Sequence, residues 1–296
     1  MSSTATLGYA IAKKAISERF DPEKRSIYTL AIQIGITDMQ LCVVNRQTGR
    51  CLSIEDFRFE NVRTINNRLE VVKQIFERHP HLAQQDWGTV KLSVKTHKYT
   101  LVPASVFLSE HTSDYLSLNA EVNNKIEETH YYRHISCNAI HLFAADKKLV
   151  ETVRAYFPKK HIELVSQACA LIEGTLQYDD HSVEKSMFCL VDKGILHILV
   201  SQNQKLIFYN QFAVRKPEDY LKYIMLVMQE TQLNPKTSNV VMWGGLNADS
   251  VVINTLKKYI RNISLGTKPK FLRFEGELDR LPDHQYFDAY SIFLCE

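Results

Sequence analysis

Apolar residues recur at every second position in Tyr28, Leu30, Ile32 and Ile34, stop at Gly35, and resume at Met39, Leu41 and Val43. A period of two marks a strand with one buried face. The pattern therefore predicts a hairpin turning over residues 35–38. A second turn over 45–50 leads into CLSIEDFRF, a third strand. Ile65, Leu69, Val72 and Phe76 then follow at helical spacing until Pro80, and TVKLSVKTHKYTLVP (89–103) reads as a strand. The first half is thus strand, strand, strand, helix, strand.

The second half repeats this order. MFCLVDKGILHILVS predicts two strands across Gly194, and KLIFYNQFAV a third. PEDYLKYIMLVMQETQ is a helix with Pro217 near its first turn, where a missing N–H does no harm. SNVVMW is a strand, and ADSVVINTLKKYI a helix capped by Asp249 or a neighbour. Between the halves, HISCNAIHLFAAD and HIELV read as strands, and KKLVETVRAYF and SQACALIEGTLQ as helices. DHQYFDAYSIFLCE reads as an apolar closing helix. A repeated order of this length implies structural duplication, with mixed α/β sheets flanked by helices and two lobes joined by packed, crossing helices. The expected division is a lead-in over 1–26, a first lobe over 27–165 and a second over 166–296.

Composition narrows the function. With 45% hydrophobic and 23% charged residues in 296, the chain is a folded globular protein. Its 36 Lys+Arg against 33 Asp+Glu form no concentrated basic run, which argues against nucleic acid. Lys13 and Lys14 interrupt the only leader-like stretch, and no run approaches the roughly 20 apolar residues of a membrane span. No membrane insertion and a cytoplasmic location are therefore expected. Six cysteines stand singly, without a C-x-x-C pair, and read as reduced, mostly buried residues.

The order and spacing of these elements resemble the actin, sugar kinase and Hsp70 superfamily, particularly its bacterial branch with the pilus-assembly protein PilM and the division protein FtsA. More narrowly, YTLAIQIGITDMQLCVV and YTLVPASVF resemble the Bacteroidetes family of unknown function DUF3822. The resemblance implies a duplicated RNase H-like, actin-like ATPase fold over residues 27–296. It also implies a ligand site in the interlobe cleft, at Gly35, Asp192, Gly194, Gly244 and Gly245. In that superfamily the first phosphate loop reads Asp-x-Gly-Thr/Ser, but here Gln33, Ile34, Gly35 and Ile36 stand there, without the carboxylate that organises magnesium or the hydroxyl. Thr37 or Asp38 would substitute only if the loop shifted. The second loop keeps Asp192 and Gly194 but continues with Ile195 and Leu196, and a β-branched residue disfavours a phosphate cradle. Asp192 also fits a solvated or capping residue in a tight hairpin. The Gly244–Gly245 pair, between strand and helix, suits either close approach to an adenosine or an ordinary tight turn.

Other chemistry finds less support. His79, His81, His130 and His134 have no H-E-x-x-H spacing and read as surface or loop residues, so no metal site is expected. His197 reads as a hydrogen-bonded structural residue. Cys137 and His141, four apart, fit a chance pairing, and neither a serine nor a cysteine nucleophile has a recognisable motif. RNase H-type nuclease chemistry would need converging carboxylates where Gln33 stands. The paired aromatics fall in apolar elements and read as core. These residues predict a binding or scaffold protein with a protein partner, degenerate phosphate loops and a disfavoured Mg-ATP site. A divergent ATPase or small-molecule kinase is the alternative, with Asp192 organising magnesium. A third reading is salt-sensitive nucleic-acid association through scattered basic residues.

Overall fold

The computed structural model describes residues 7–179 and 184–296. Four strands, β1 (Gly8–Ile16), β2 (Tyr28–Ile34), β3 (Asp38–Asn45) and β4 (Arg50–Glu60), precede helix α1 (Ile65–Arg78) and strand β5 (Thr89–Val94). Next come β6 (Tyr99–Pro103), the short α2 (Thr112–Ser117), β7 (Glu127–His134), β8 (Ala139–Asp146), α3 (Lys147–Ala155), β9 (Ile162–Ser166) and α4 (Gln167–Tyr178). The second half runs β10 (Ser186–Asp192), β11 (Ile195–Gln202), β12 (Lys205–Ala213), α5 (Pro217–Glu230), β13 (Asn239–Gly244), α6 (Val251–Lys257), β14 (Asn262–Leu265) and α7 (Phe287–Ser291).

The duplication is visible in sheet order. One sheet runs β1-β4-β3-β2-β5-β9 and the other β12-β11-β10-β13-β14. Without β1 the two orders are the same, strand for strand. Each has an antiparallel three-strand meander followed by two parallel strands that enter through helical crossovers. Strands β6, β8 and β7 form a separate three-stranded sheet inserted between β5 and α3 of the first lobe.

Local chemistry explains where the elements begin. Thr64 caps α1 by accepting from the Asn67 N–H at 3.1 Å, and the helix buries Leu69, Val71, Val72, Ile75 and Phe76 against the first sheet. Thr64→Ala is expected to lower stability by about 1 kcal/mol, read as a small fall in denaturation midpoint. No change would mean that the cap is dispensable. Ser166 caps α4 in the same way, and Ser250, the neighbour of Asp249, caps α6.

Five elements depart from the pattern reading. Residues 89–103 are two strands in different sheets, because the chain leaves the first sheet after Val94 and carries Lys95 into the cleft. Residues 134–146 are interrupted by a turn over 135–138, where Asn138 adopts φ 52°. Strand β7 precedes that turn, and its polar, half-exposed EETHYYRH hides the alternation. Strand β1 is an edge strand with a bulge between Ile11 and Lys13, which breaks its period. The closing helix is short, five residues of α7 followed by one 3₁₀ turn.

The first lobe's core includes Leu272, Leu278, Leu281, Tyr290, Ile292 and Cys295 from the far end of the chain. The second lobe packs around Met187, Leu196, Ile224 and Met242. Between them α4 crosses α7 so closely that a Cβ on Gly174 would lie 2.0 Å from Ser291 Oγ. No helix among the described residues is long and apolar enough to cross a membrane.

Candidate functional site

The turns singled out in the sequence converge on the gap between the lobes. At the end of β2, Gly35 gives its N–H to Asp38 O at 2.9 Å. Any side chain there would run into Asp38, whose Oδ1 lies 2.2 Å from the Cβ position. Across the gap, Lys193 (φ 45°) and Gly194 (φ 85°) form the two-residue turn between β10 and β11, and positive φ at both central residues suits a tight hairpin. Gly244 (φ 99°) lets β13 pass Val191, whose carbonyl oxygen would sit 2.1 Å from a Cβ.

A lysine that the motif reading did not single out holds the centre. Lys95 Nζ lies 2.6 Å from Asp38 Oδ2 and 2.8 Å from Asp192 Oδ2, which ties the two lobes together. Lys193 reaches back to the same oxygen of Asp38 at 3.0 Å. Burial works against the charge on Lys95, but Asp192 and Asp38 outweigh it and hold the ammonium well above the usual lysine range. Burial likewise works to raise Asp192, and Lys95 beside it wins, so this carboxyl sits below the ordinary range.

A layer of amides lies beneath the ion pairs. Gln167 Nε2 donates to Asp192 Oδ2 and to Asp288 Oδ2, both at 2.8 Å. Gln33, fully buried, donates to Asp288 Oδ2 at 2.6 Å and Gln40 Oε1 at 3.1 Å, and accepts from Ser93 Oγ at 3.0 Å. Asp288, on α7, is raised, chiefly by burial. The network thus draws on both hairpins, β5 and the two crossing helices.

The glycine pair is engaged by protein. Gly244 N–H donates to His284 O at 2.7 Å, and Gly245 N–H to Val191 O at 3.0 Å. Before them Trp243 is buried, stacked on Phe287 at 3.9 Å between ring centroids and on Phe188 at 5.7 Å. Two cavities border Asp192 and Lys193. One of ≈ 200 Å³ faces Gln40, Asp56 and the glycine pair, and one of ≈ 260 Å³ faces Thr37, Lys95 and His197. His197 is buried and bonded through Nδ1 to Tyr209 Oη at 3.0 Å, a structural role, and burial lowers its pKa to about 4.

Gly35, Asp192, Gly194, Gly244 and Gly245 therefore lie around one cleft, and Asp192 alone among them contributes a charged side chain. Lys95, Gln167 and Asp288 escaped motif reading. Their one signal was a charged or amide residue beside an otherwise apolar stretch. Two histidine readings are corrected: His130 is half-buried within β7, and His134, at its end, is fully buried, because β7 turns it under α4. His79 does lie in the loop after α1, its Nε2 3.1 Å from Glu55 Oε1.

Two RNase H-like lobes of matching strand order facing across such a cleft define an actin-like ATPase fold. The chain belongs to the DUF3822 family of proteins of unknown function, which it matches over residues 17–263. A solved protein from Bacteroides thetaiotaomicron VPI-5482, with an actin-like ATPase fold and unknown function, is similar at 19% identity. That match has a TM-score of 0.79 and covers 94% of this chain and 99% of that one. A chain of the PilM–PilN type IV pilus biogenesis complex is similar at 10% identity and TM-score 0.57, covering 90% and 97%. No curated protein matches the chain.

Proposed function

We propose that this protein works by binding a partner protein, with the cleft of an ATPase fold latched by its own side chains and its phosphate loops degenerate. The observation that carries this reading is Lys95, whose ammonium sits where the carboxylates of the two hairpins meet. A metal-bound phosphate would have to displace that ammonium. Gln33, which stands where the superfamily has its first-loop carboxylate, is committed to Asp288, Gln40 and Ser93. The Gly244 and Gly245 N–H groups are held by carbonyls. The PilM–PilN assembly joins a protein of this fold to another protein, which is the kind of partner proposed.

Thermal unfolding of the purified chain tests the reading. No shift is expected with millimolar Mg-ATP or Mg-ADP. Nucleotide at about a hundred times its dissociation constant would add roughly 2.7 kcal/mol and raise the midpoint by several degrees. Such a rise, dependent on magnesium and lost in Asp192→Ala, would replace this reading with that of a divergent ATPase or small-molecule kinase. Gly35, Asp192, Gly194, Gly244 and Gly245 would then be its nucleotide contacts.

A further inference from the structure

A second cluster, separate from the cleft, lies where the inserted three-stranded sheet meets α4. His134 ends β7 and His141 lies on β8. In their antiparallel register Tyr132 pairs with His141, so His134, two residues on from Tyr132, shares its face. Under that face lie Ser166, the N-cap of α4, and Cys169 and Glu173 of the helix itself, at helical spacing. His134, His141 and Cys169 are all fully buried, and one ligand atom from each lies within 4.8 Å of the others.

The surrounding bonds orient these groups as ligands. Glu173 Oε1 lies 2.6 Å from His134 Nδ1, so the Nδ1–H donates to the carboxylate and the tautomer this favours leaves Nε2 with a free lone pair. A carboxylate behind a histidine in this way is the usual outer support of a metal ligand. Ser166 Oγ lies 3.1 Å from His141 Nε2 and 3.3 Å from Cys169 Sγ. Two ring nitrogens, His134 Nε2 and His141 Nδ1, are buried and have no hydrogen-bond partner among the described residues. Buried polar atoms are rarely left so, and each such atom calls for an explanation. A cation between the three side chains would supply it.

We propose that His134, His141 and Cys169 bind a zinc-class ion, with Glu173 and Ser166 positioning the ligands. Two nitrogens and one sulfur suit zinc, which takes such ligands at about 2.0–2.3 Å in a tetrahedron, the fourth place falling to a water. Those bond lengths imply ligand atoms roughly 3.3–3.7 Å apart, so the cluster closes by at most about 1.5 Å on binding. The ion pins the inserted sheet to α4, whose residue Gln167 touches both Asp192 and Asp288. Its role is structural: it fixes the helix that runs between the lobes.

The test uses the full chain, stripped of metal with chelator and titrated with cobalt(II), which reports thiolate coordination by a charge-transfer band. One equivalent is expected to bind with that band, zinc is expected to displace it, and Cys169→Ser should abolish it. Glu173→Gln keeps every ligand and should weaken cobalt affinity 10- to 100-fold, so the proposal stays testable even if Cys169→Ser fails to fold. Absence of the band, or an unchanged affinity in Glu173→Gln, would overturn the site. So would a band that survives Cys169→Ser but vanishes in Cys51→Ser, because Cys42 and Cys51, with sulfurs 3.9 Å apart, offer a competing pair of thiols.

Discussion

Replacing Lys95 with methionine is expected to lower the free energy of unfolding at pH 7 by about 3–5 kcal/mol, the usual effect of removing one partner from a buried ion pair. Methionine fills the space but leaves Asp192 with only the amide of Gln167, while Asp38 keeps Lys193. The loss should depend on pH. In the parent, Asp192 has a folded pKa below its ordinary 3.8, so its contribution is fully present above that value and disappears as pH falls through the folded pKa. Asp288 has the opposite sign. Its folded pKa is raised, so its contribution is present below the ordinary value and fades as pH rises through the folded one. In Lys95→Met the stranded Asp192 joins Asp288 in favouring protonation. The gap between parent and variant in urea denaturation should therefore narrow from pH 7 toward pH 4, and Lys95→Met/Asp192→Asn should recover part of the loss. A gap under 1 kcal/mol at pH 7 would show that Lys95 does not join the lobes.

Trp243→Ala should be comparably severe, at about 3–5 kcal/mol, the range for deleting a large buried aromatic. The indole is sandwiched between Phe287 and Phe188, donates to Thr267 O at 3.2 Å, and would clash with any Cβ on Gly266. The chain there cannot collapse easily, because Gly244 is already held against Val191. Since Phe287 adjoins Asp288 on α7, the cavity should also loosen the helix that completes the cleft. Faster hydrogen exchange at Gly244 and across residues 287–291 would register this. A stability loss below 1 kcal/mol, with exchange unchanged, would mean that the aromatic stack is not what seats α7.

Much of this architecture was legible in the sequence because it follows from local rules. The two hairpins and the helices after them are written in apolar periods of 2 and 3.6, and the turns in Gly35 and Gly194. The repeated order of these elements carried the fold, and the sheets bear it out. Strand β7 was hidden because all of its residues but Tyr131 and Tyr132 are polar. Strand β1 was hidden because a bulge shifts its period. The cleft was legible only as a location. Gln33 and Ile36 told what the first loop lacked, but Lys95 lay inside a stretch, 89–103, that read as one continuous strand. Asp288 lay inside an apolar segment whose docking site is 255 residues away in Gln33. No local rule links those two positions. The same holds for His134, His141 and Cys169, which stand on two strands and a helix and meet only when the inserted sheet folds onto α4.

The Gln33–Asp288 contact also imposes an order on biogenesis. During synthesis the first sheet is made early, yet its buried amide and the apolar surface beneath Ile292 and Cys295 have no covering until residues near 288 leave the ribosome. Lys91, on the same sheet, likewise donates to the carbonyls of Phe293 and Cys295. The first lobe therefore cannot reach its final packing as an independent nascent domain. Its final packing requires residues 288–295, which dock on it only after the strands of the second lobe have been made.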